Sequence, residues 1–146
     1  MLDLERFLPY RLSVLSNRIS AHIAQLYDTR HGLAIPEWRV IAVLARRPGI
    51  SATEVAQRTA MDKVAVSRAV SSLLGEERVV RELDGNDRRR SVLRLTASGQ
   101  AIYDDVAPKA LAYERTLLDS LQSDEKKTLD RLLARMEQVA EGLSRG

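Results

Sequence analysis

A mainly α fold, a winged helix-turn-helix carried between long N- and C-terminal helices, is what this sequence predicts, and three observations carry the prediction. Two short helix candidates, one ending near Thr59 and the next opening at Asp62, lie about three residues apart, the spacing of a helix-turn-helix. Two alternating apolar runs, Val79–Leu83 and Ser91–Leu95, flank the polar turn Gly85-Asn86-Asp87-Arg88-Arg89-Arg90, the pattern of a β-hairpin. Apolar residues recur every three or four positions over both ends of the chain, the period of one helical face.

The first helix is predicted over roughly Leu4 to Tyr27, where Leu8, Leu12, Leu15, Ile19, Ile23 and Leu26 share a face. Pro9 falls near its first turn, where proline is tolerated, and His31-Gly32 ends it. Pro36 suits the first turn of a second helix, Glu37 to Ala45, and Pro48-Gly49 closes that helix. Ser51-Ala52-Thr53-Glu54 reads as a capping box: Ser51 satisfies the amide of Glu54, Glu54 reaches back, and Ile50 and Val55 form a hydrophobic staple. Asp62 caps the next helix. Its residues Val66, Ala69, Val70 and Leu73 form a buried stripe, which turns Val64, Ser67, Arg68 and Ser71 outward with Lys63 at the N-terminal edge. Gly75 should weaken its last turn by around 1 kcal/mol relative to alanine.

After the hairpin, Thr96 can cap a long helix from about Ala97 to Leu121, which Pro108 should bend or split. Ser123-Asp124 starts the last helix, where Leu129, Leu132, Leu133, Met136, Val139, Ala140 and Leu143 form a heptad-like stripe. Such a stripe needs a partner, and a second copy of the chain related by a two-fold axis is the economical one. The chain then divides into an N-terminal dimerisation helix (1–34), a winged helix-turn-helix region (35–96) and C-terminal dimerisation helices (97–146), one compact domain overall.

Composition bounds the function. The 146 residues are 45% apolar, enough for a core. A formal charge of +3 and a pI near 9.5 are compatible with a polyanionic partner without demanding one. The absence of cysteine excludes disulfides, thiolate zinc sites, cysteine catalysis and thiol-based redox sensing. Two histidines, His22 and His31, without a carboxylate cluster make a metal site improbable. No phosphate loop, nucleophile elbow or plausible histidine pairing is present, so the chain reads as a non-enzyme without a cofactor. Met1-Leu2-Asp3-Leu4-Glu5-Arg6 is no secretion signal and no segment reads as membrane-spanning, which places the protein in the cytoplasm.

A helix with small polar and basic side chains outward, beside an arginine-tipped hairpin, is shaped to hold double-stranded DNA. The helix fits the major groove and the hairpin reaches phosphates or the adjacent minor groove. Lys63, Val64, Ser67, Arg68 and Ser71 are the candidates on the helix, with Arg68 the best placed for a guanine. Arg88, Arg89 and Arg90 are the candidates on the wing, with Arg89 for the minor groove. Asp87 could orient Arg89 by a charge-assisted hydrogen bond or cap the turn. Ser51 and Thr53 could donate to phosphate from a helix N-terminus, although capping already accounts for Ser51. Tyr10, Tyr27, Tyr103 and Tyr113 read as dimer or core residues with a hydroxyl at the surface.

These residues resemble the MarR transcriptional regulators. The wing is similar to that family's pattern of Asp, any residue, Arg, five residues and Leu-Thr, with Asp87, Arg89, Leu95 and Thr96 in register. Met61-Asp62-Lys63-Val64-Ala65-Val66-Ser67-Arg68 resembles the start of its recognition helix, and Pro36-Glu37-Trp38-Arg39-Val40-Ile41 its second-helix signature. The resemblance implies a homodimer on a pseudo-palindromic operator, repression of nearby genes, and release by a small aromatic or phenolic acid or its thioester. It also places Trp38 where the family lines its ligand pocket, although a core role explains Trp38 equally; Arg18 and His22 on the first helix are the candidates for a ligand carboxylate. Glu77 stands where the family often has glycine, which predicts a less tightly turned helix end. Two other functions fit parts of the pattern: a ligand-independent or architectural DNA-binding factor, and a helical protein-interaction adaptor.

Overall fold

The computed structural model describes residues 1–144. A single 3-10 turn, Leu4–Arg6, leads into α1 (Leu8–Ala24), with Pro9 in its first turn. The periodic pattern continues past Ala24, but the helix does not. A one-turn helix, α2 (Asp28–His31), follows it and ends on Gly32 at φ 64°, a left-handed conformation that glycine adopts without a Cβ clash. Then come α3 (Ile35–Arg46), α4 (Ala52–Thr59), α5 (Lys63–Gly75), β1 (Val79–Leu83), β2 (Ser91–Leu95), α6 (Ala97–Leu118) and α7 (Ser123–Ser144).

The chain packs as two compact units that part after Ala110. The core of the first unit is made by Val40, Ile41 and Leu44 of α3, Val55 and Ala56 of α4, and Val66, Ala69, Val70 and Leu73 of α5. Tyr27, Leu33, Val79, Leu93, Ile102 and Val106 close around them. All four residues of the predicted α5 stripe are buried. β1 and β2 pair antiparallel, from Val79 opposite Leu95 to Leu83 opposite Ser91. Residues 49 and 50 add a short third rung. Gly49 N–H donates to the Leu93 carbonyl at 2.9 Å and Leu93 N–H to the Ile50 carbonyl at 2.8 Å, so the Pro48-Gly49 turn also fastens the wing to the start of α4.

Several local expectations change. Ser51 Oγ accepts the Glu54 amide at 3.2 Å, but the Glu54 carboxylate turns to Arg90. Only the serine half of the capping box forms, because a guanidinium competes better for a carboxylate than one amide does. The end of α5 is fully turned despite Glu77, which takes φ 56°. Arg78 N–H bonds the Leu73 carbonyl at 2.9 Å and Glu77 N–H the Leu74 carbonyl at 3.1 Å, the paired bonds of a Schellman ending. Pro108 does not split α6, which runs unbroken through it. Pro108 and Asp104 are both exposed, so water can satisfy the carbonyl that loses its helical donor. α6 ends at Leu118, short of Leu121. Tyr27 is 1% exposed, not a ring with its hydroxyl at the surface, and burial raises its pKa.

In the second unit, Gln122 N–H donates to Glu125 Oε1 at 2.8 Å and opens α7, whose apolar stripe from Leu129 to Leu143 is exposed. Among the described residues, no helix is long and apolar enough to cross a membrane.

Candidate nucleic-acid interface

The interface starts from the way α5 is held. Asp62 caps it by accepting the Ala65 amide at 3.3 Å, which satisfies one of the four amides a helix N-terminus leaves open. Its buried stripe packs on α3 and α4. Glu37, in the first turn of α3, accepts Ser72 Oγ at 2.9 Å through Oε2 and the Ala34 amide at 3.0 Å through Oε1. Burial on one side and this bond along the flank fix the rotation of α5. Lys63, Val64, Ser67, Arg68 and Ser71 are all exposed as a result. Arg68 borders α3, on a groove of about 290 Å³ that it shares with Pro36, Glu37, Ala65 and Ser72.

The wing treats its three arginines differently. Arg88 and Arg89 are exposed, and neither guanidinium has an acidic partner among the described residues. Arg90 is half-buried; its Nη2 pairs with Glu54 Oε1, and its Nε lies 3.8 Å from Asp84 Oδ2. Asp87 Oδ1 accepts the Arg89 backbone amide at 3.0 Å, so of its two sequence-level roles the turn cap is the one the geometry displays. Asp84 does the same for the Asn86 amide at 3.0 Å. Thr53 is exposed at the first turn of α4, whereas the Ser51 hydroxyl is engaged by Glu54. Arg94, on β2, pairs with Glu82 across the strands at 3.0 Å.

The three ligand candidates occupy separate surroundings. Trp38 stacks between Tyr27 (centroids 5.5 Å apart) and Tyr103 (6.0 Å), joining α3 to α6. Arg18 lines a cavity of about 620 Å³ along α1 with Glu5, Leu8, Arg11, Leu12 and Leu15, and neither Trp38 nor His22 lines it. His22 is exposed one turn further along α1.

Sequence reasoning missed a charged cluster that fastens α2 to α6. Asp105 takes His31 Nε2 at 2.7 Å, Lys109 Nζ at 3.1 Å and Arg30 Nε at 3.2 Å. The His31 hydrogen bond, then that of Lys109, holds the Asp105 carboxyl below its ordinary value. His31 and Asp105 are 74 positions apart, so no local motif could signal the pair. Gly99 was also missed: a Cβ there would sit 2.1 Å from the Arg78 carbonyl oxygen. Among the described residues no group of three or more potential metal-ligating side chains is present.

Comparison with known proteins follows the same lines. Residues 31–90 match the model of the MarR family. The HTH-type transcriptional regulator BilQ of Clostridium symbiosum is 26% identical over 112 residues, covering 77% of this chain and 78% of that protein. The homoprotocatechuate degradative operon repressor of Escherichia coli is 26% identical over 116 residues, 80% of this chain and 77% of the repressor. The crystal structure of a MarR/EmrR family transcriptional regulator from Acinetobacter sp. ADP1 superposes with a TM-score of 0.87 at 26% identity, over 97% of this chain and 99% of that one.

Proposed function

We propose that the chain is a DNA-binding transcriptional regulator of the MarR family, whose model residues 31–90 match, and that it is a homodimeric repressor of a pseudo-palindromic operator, released by a small aromatic or phenolic acid or the thioester of one. The observation that carries the DNA-binding geometry is the division of α5 into a fully buried face and an exposed one. Val66, Ala69, Val70 and Leu73 are spent on the core. Lys63, Val64, Ser67, Arg68 and Ser71 are left to the major groove, where a helix can read a full donor and acceptor code. Arg88 and Arg89 reach the backbone and the minor groove beside it, and Thr53 donates to phosphate from the first turn of α4.

Two copies are needed to read two half-sites one helical turn apart. The exposed leucines of α1, Leu8, Leu12 and Leu15, and the exposed stripe of α7 are what a second copy would cover. Repression and an aromatic ligand are supported by the relative whose name carries both, the homoprotocatechuate operon repressor. On this chain Arg18, on α1, would supply the cation for a carboxylate; the groove beside it is lined by Glu5, Tyr10 and Arg11 as well as Leu8, Leu12 and Leu15, and the second copy would close part of it. His22 sits four residues on, on the same helical face; Trp38, stacked between Tyr27 and Tyr103, does not line this groove and would serve as a core residue of α3.

The test is binding of the purified protein, by fluorescence anisotropy at physiological salt, to DNA from upstream of its own gene and to a shuffled duplex of equal length. A preference of about a thousandfold with two subunits per site is expected. Equal weak binding to both would overturn sequence-specific repression, and an aromatic carboxylate panel that never displaces the DNA would overturn the ligand switch.

A further inference from the structure

The wing is attached at two levels, to the segment that leads into α4 and to α4 itself. At its base the backbone of Leu93 is bonded to Gly49 and Ile50. Nearer its tip the Arg90 side chain reaches Glu54, in the first turn of α4. Arg90 immediately precedes β2 (Ser91–Leu95) and lies three residues from Leu93, about 10 Å along extended chain. One rung alone leaves a two-stranded ribbon free to swing about its base; a second attachment further out removes that freedom.

Arg90 is built into the wing as well. Its carbonyl accepts the Asp84 amide at 2.8 Å and its amide donates to the Asp87 carbonyl at 3.0 Å. Asp84 both caps the turn through Oδ1 and lies beside the Arg90 guanidinium through Oδ2. Two carboxylates from two elements thus converge on the one arginine of the three that is half-buried. Glu54, which left its place in the capping box to make this pair, has no other cation partner among the described residues.

We propose that Arg90 is a positioning residue, which with Glu54 and Asp84 braces the wing against α4 so that Arg88 and Arg89 stand at a set distance from α5 before DNA arrives, and which does not itself contact phosphate. The inference rests on the DNA-binding reading and deepens it. Ordering a mobile wing on binding would cost affinity, and a braced wing has met that cost on folding.

The sign of the Glu54→Gln effect separates the brace from simple electrostatics. Removing a negative charge beside DNA would by itself tighten binding. The brace requires the opposite, a loss of about tenfold in operator affinity, matched by Arg90→Gln. The double variant should lose no more than either single one, since both break the same contact. Arg90→Gln should leave the slope of log affinity against log salt unchanged, whereas Arg89→Ala flattens it by about one. Tighter binding by Glu54→Gln, or a slope loss on Arg90→Gln, would overturn the proposal. Hydrogen exchange of the amides at residues 84–90 in the free protein reads the brace without DNA: faster exchange in both variants is expected, with thermal melts confirming that each remains folded. Unchanged exchange would overturn the brace even where DNA binding fails, and failure of the parent to bind DNA would overturn only the reading beneath it.

Discussion

Val64 is 56% exposed on a helix whose other valines, Val66 and Val70, are at 1% and 2%. A branched aliphatic residue on the wet face of a short helix gains nothing from propensity and nothing from burial in the free protein. If the exposed face of α5 enters the major groove as proposed, its partner there would be a thymine C5-methyl, the one apolar group on the major-groove edge of the bases. Replacing a single thymine by deoxyuridine at the contacted position of each half-site should weaken binding by about 1 kcal/mol per methyl removed. Val64→Ala should erase that sensitivity. A parent protein indifferent to every thymine-to-uracil change would remove Val64 from the reading face. Asp105 makes a prediction about pH. Its carboxyl is held below 3.8 by His31 and Lys109, so the folded chain keeps it charged where the unfolded chain would protonate it. Its stabilising contribution is complete above that ordinary value and is lost as pH falls through the depressed one. The melting temperature of the parent should fall more steeply below about pH 4 than that of Asp105→Asn; parallel acid limbs would show that the cluster adds nothing.

Elements are best judged at their ends. α4 and α5 both finish on a residue in the left-handed region, Ala60 at φ 52° and Glu77 at φ 56°, where a side chain costs about 1 to 2 kcal/mol that glycine avoids. Ala60→Gly and Glu77→Gly should each stabilise the fold by about 0.5 to 1 kcal/mol after the entropy cost of glycine, read as a rise in melting temperature; a fall for both would mean that these positions are unstrained. The ends were also the least legible feature of the sequence. The interior of α5 follows from its period, the bounds of α3 from Pro36 and Pro48-Gly49, and the Asp62 and Thr96 caps from residue type. The two strands form where expected, but their burial does not alternate, since of β1 only Val79 is buried and in β2 the adjacent Val92 and Leu93 both are. Glu77, by contrast, carries no turn signal. The Schellman bonds form because Thr96 Oγ1 donates to the Glu77 carbonyl at 2.7 Å and Thr96 N–H to the Arg78 carbonyl at 3.1 Å, a constraint arriving from the far side of the hairpin. Pro108 misleads for the converse reason, since an exposed proline can be carried by a long helix. The candidate site divides in the same way. Which α5 residues face outward is a matter of helical period, but no local pattern distinguishes Arg90 from Arg88 and Arg89. Only the fold brings Glu54 to it.

At the scale of the whole molecule, the question is what covers the apolar stripe of α7. Leu132, Leu133 and Met136 are 36–40% exposed, Val139 and Leu143 more so, on a helix that is otherwise charged. Contiguous apolar surface of this kind marks an interface, and reading two half-sites requires two recognition helices held about 34 Å apart. Leu133→Glu places a charge in the middle of that stripe. Because Leu133 is not part of the buried core, the substitution should leave the helical circular dichroism intact while destroying self-association. Sedimentation should then report the 16.4 kDa chain instead of about twice that mass. A monomer holds one half-site and keeps roughly half of the binding free energy, so a nanomolar operator affinity would fall to about 30 μM. A variant that still sediments as a dimer would place the interface elsewhere. A clean monomer with undiminished operator affinity would show that one copy suffices, and the two-fold operator would have to be given up.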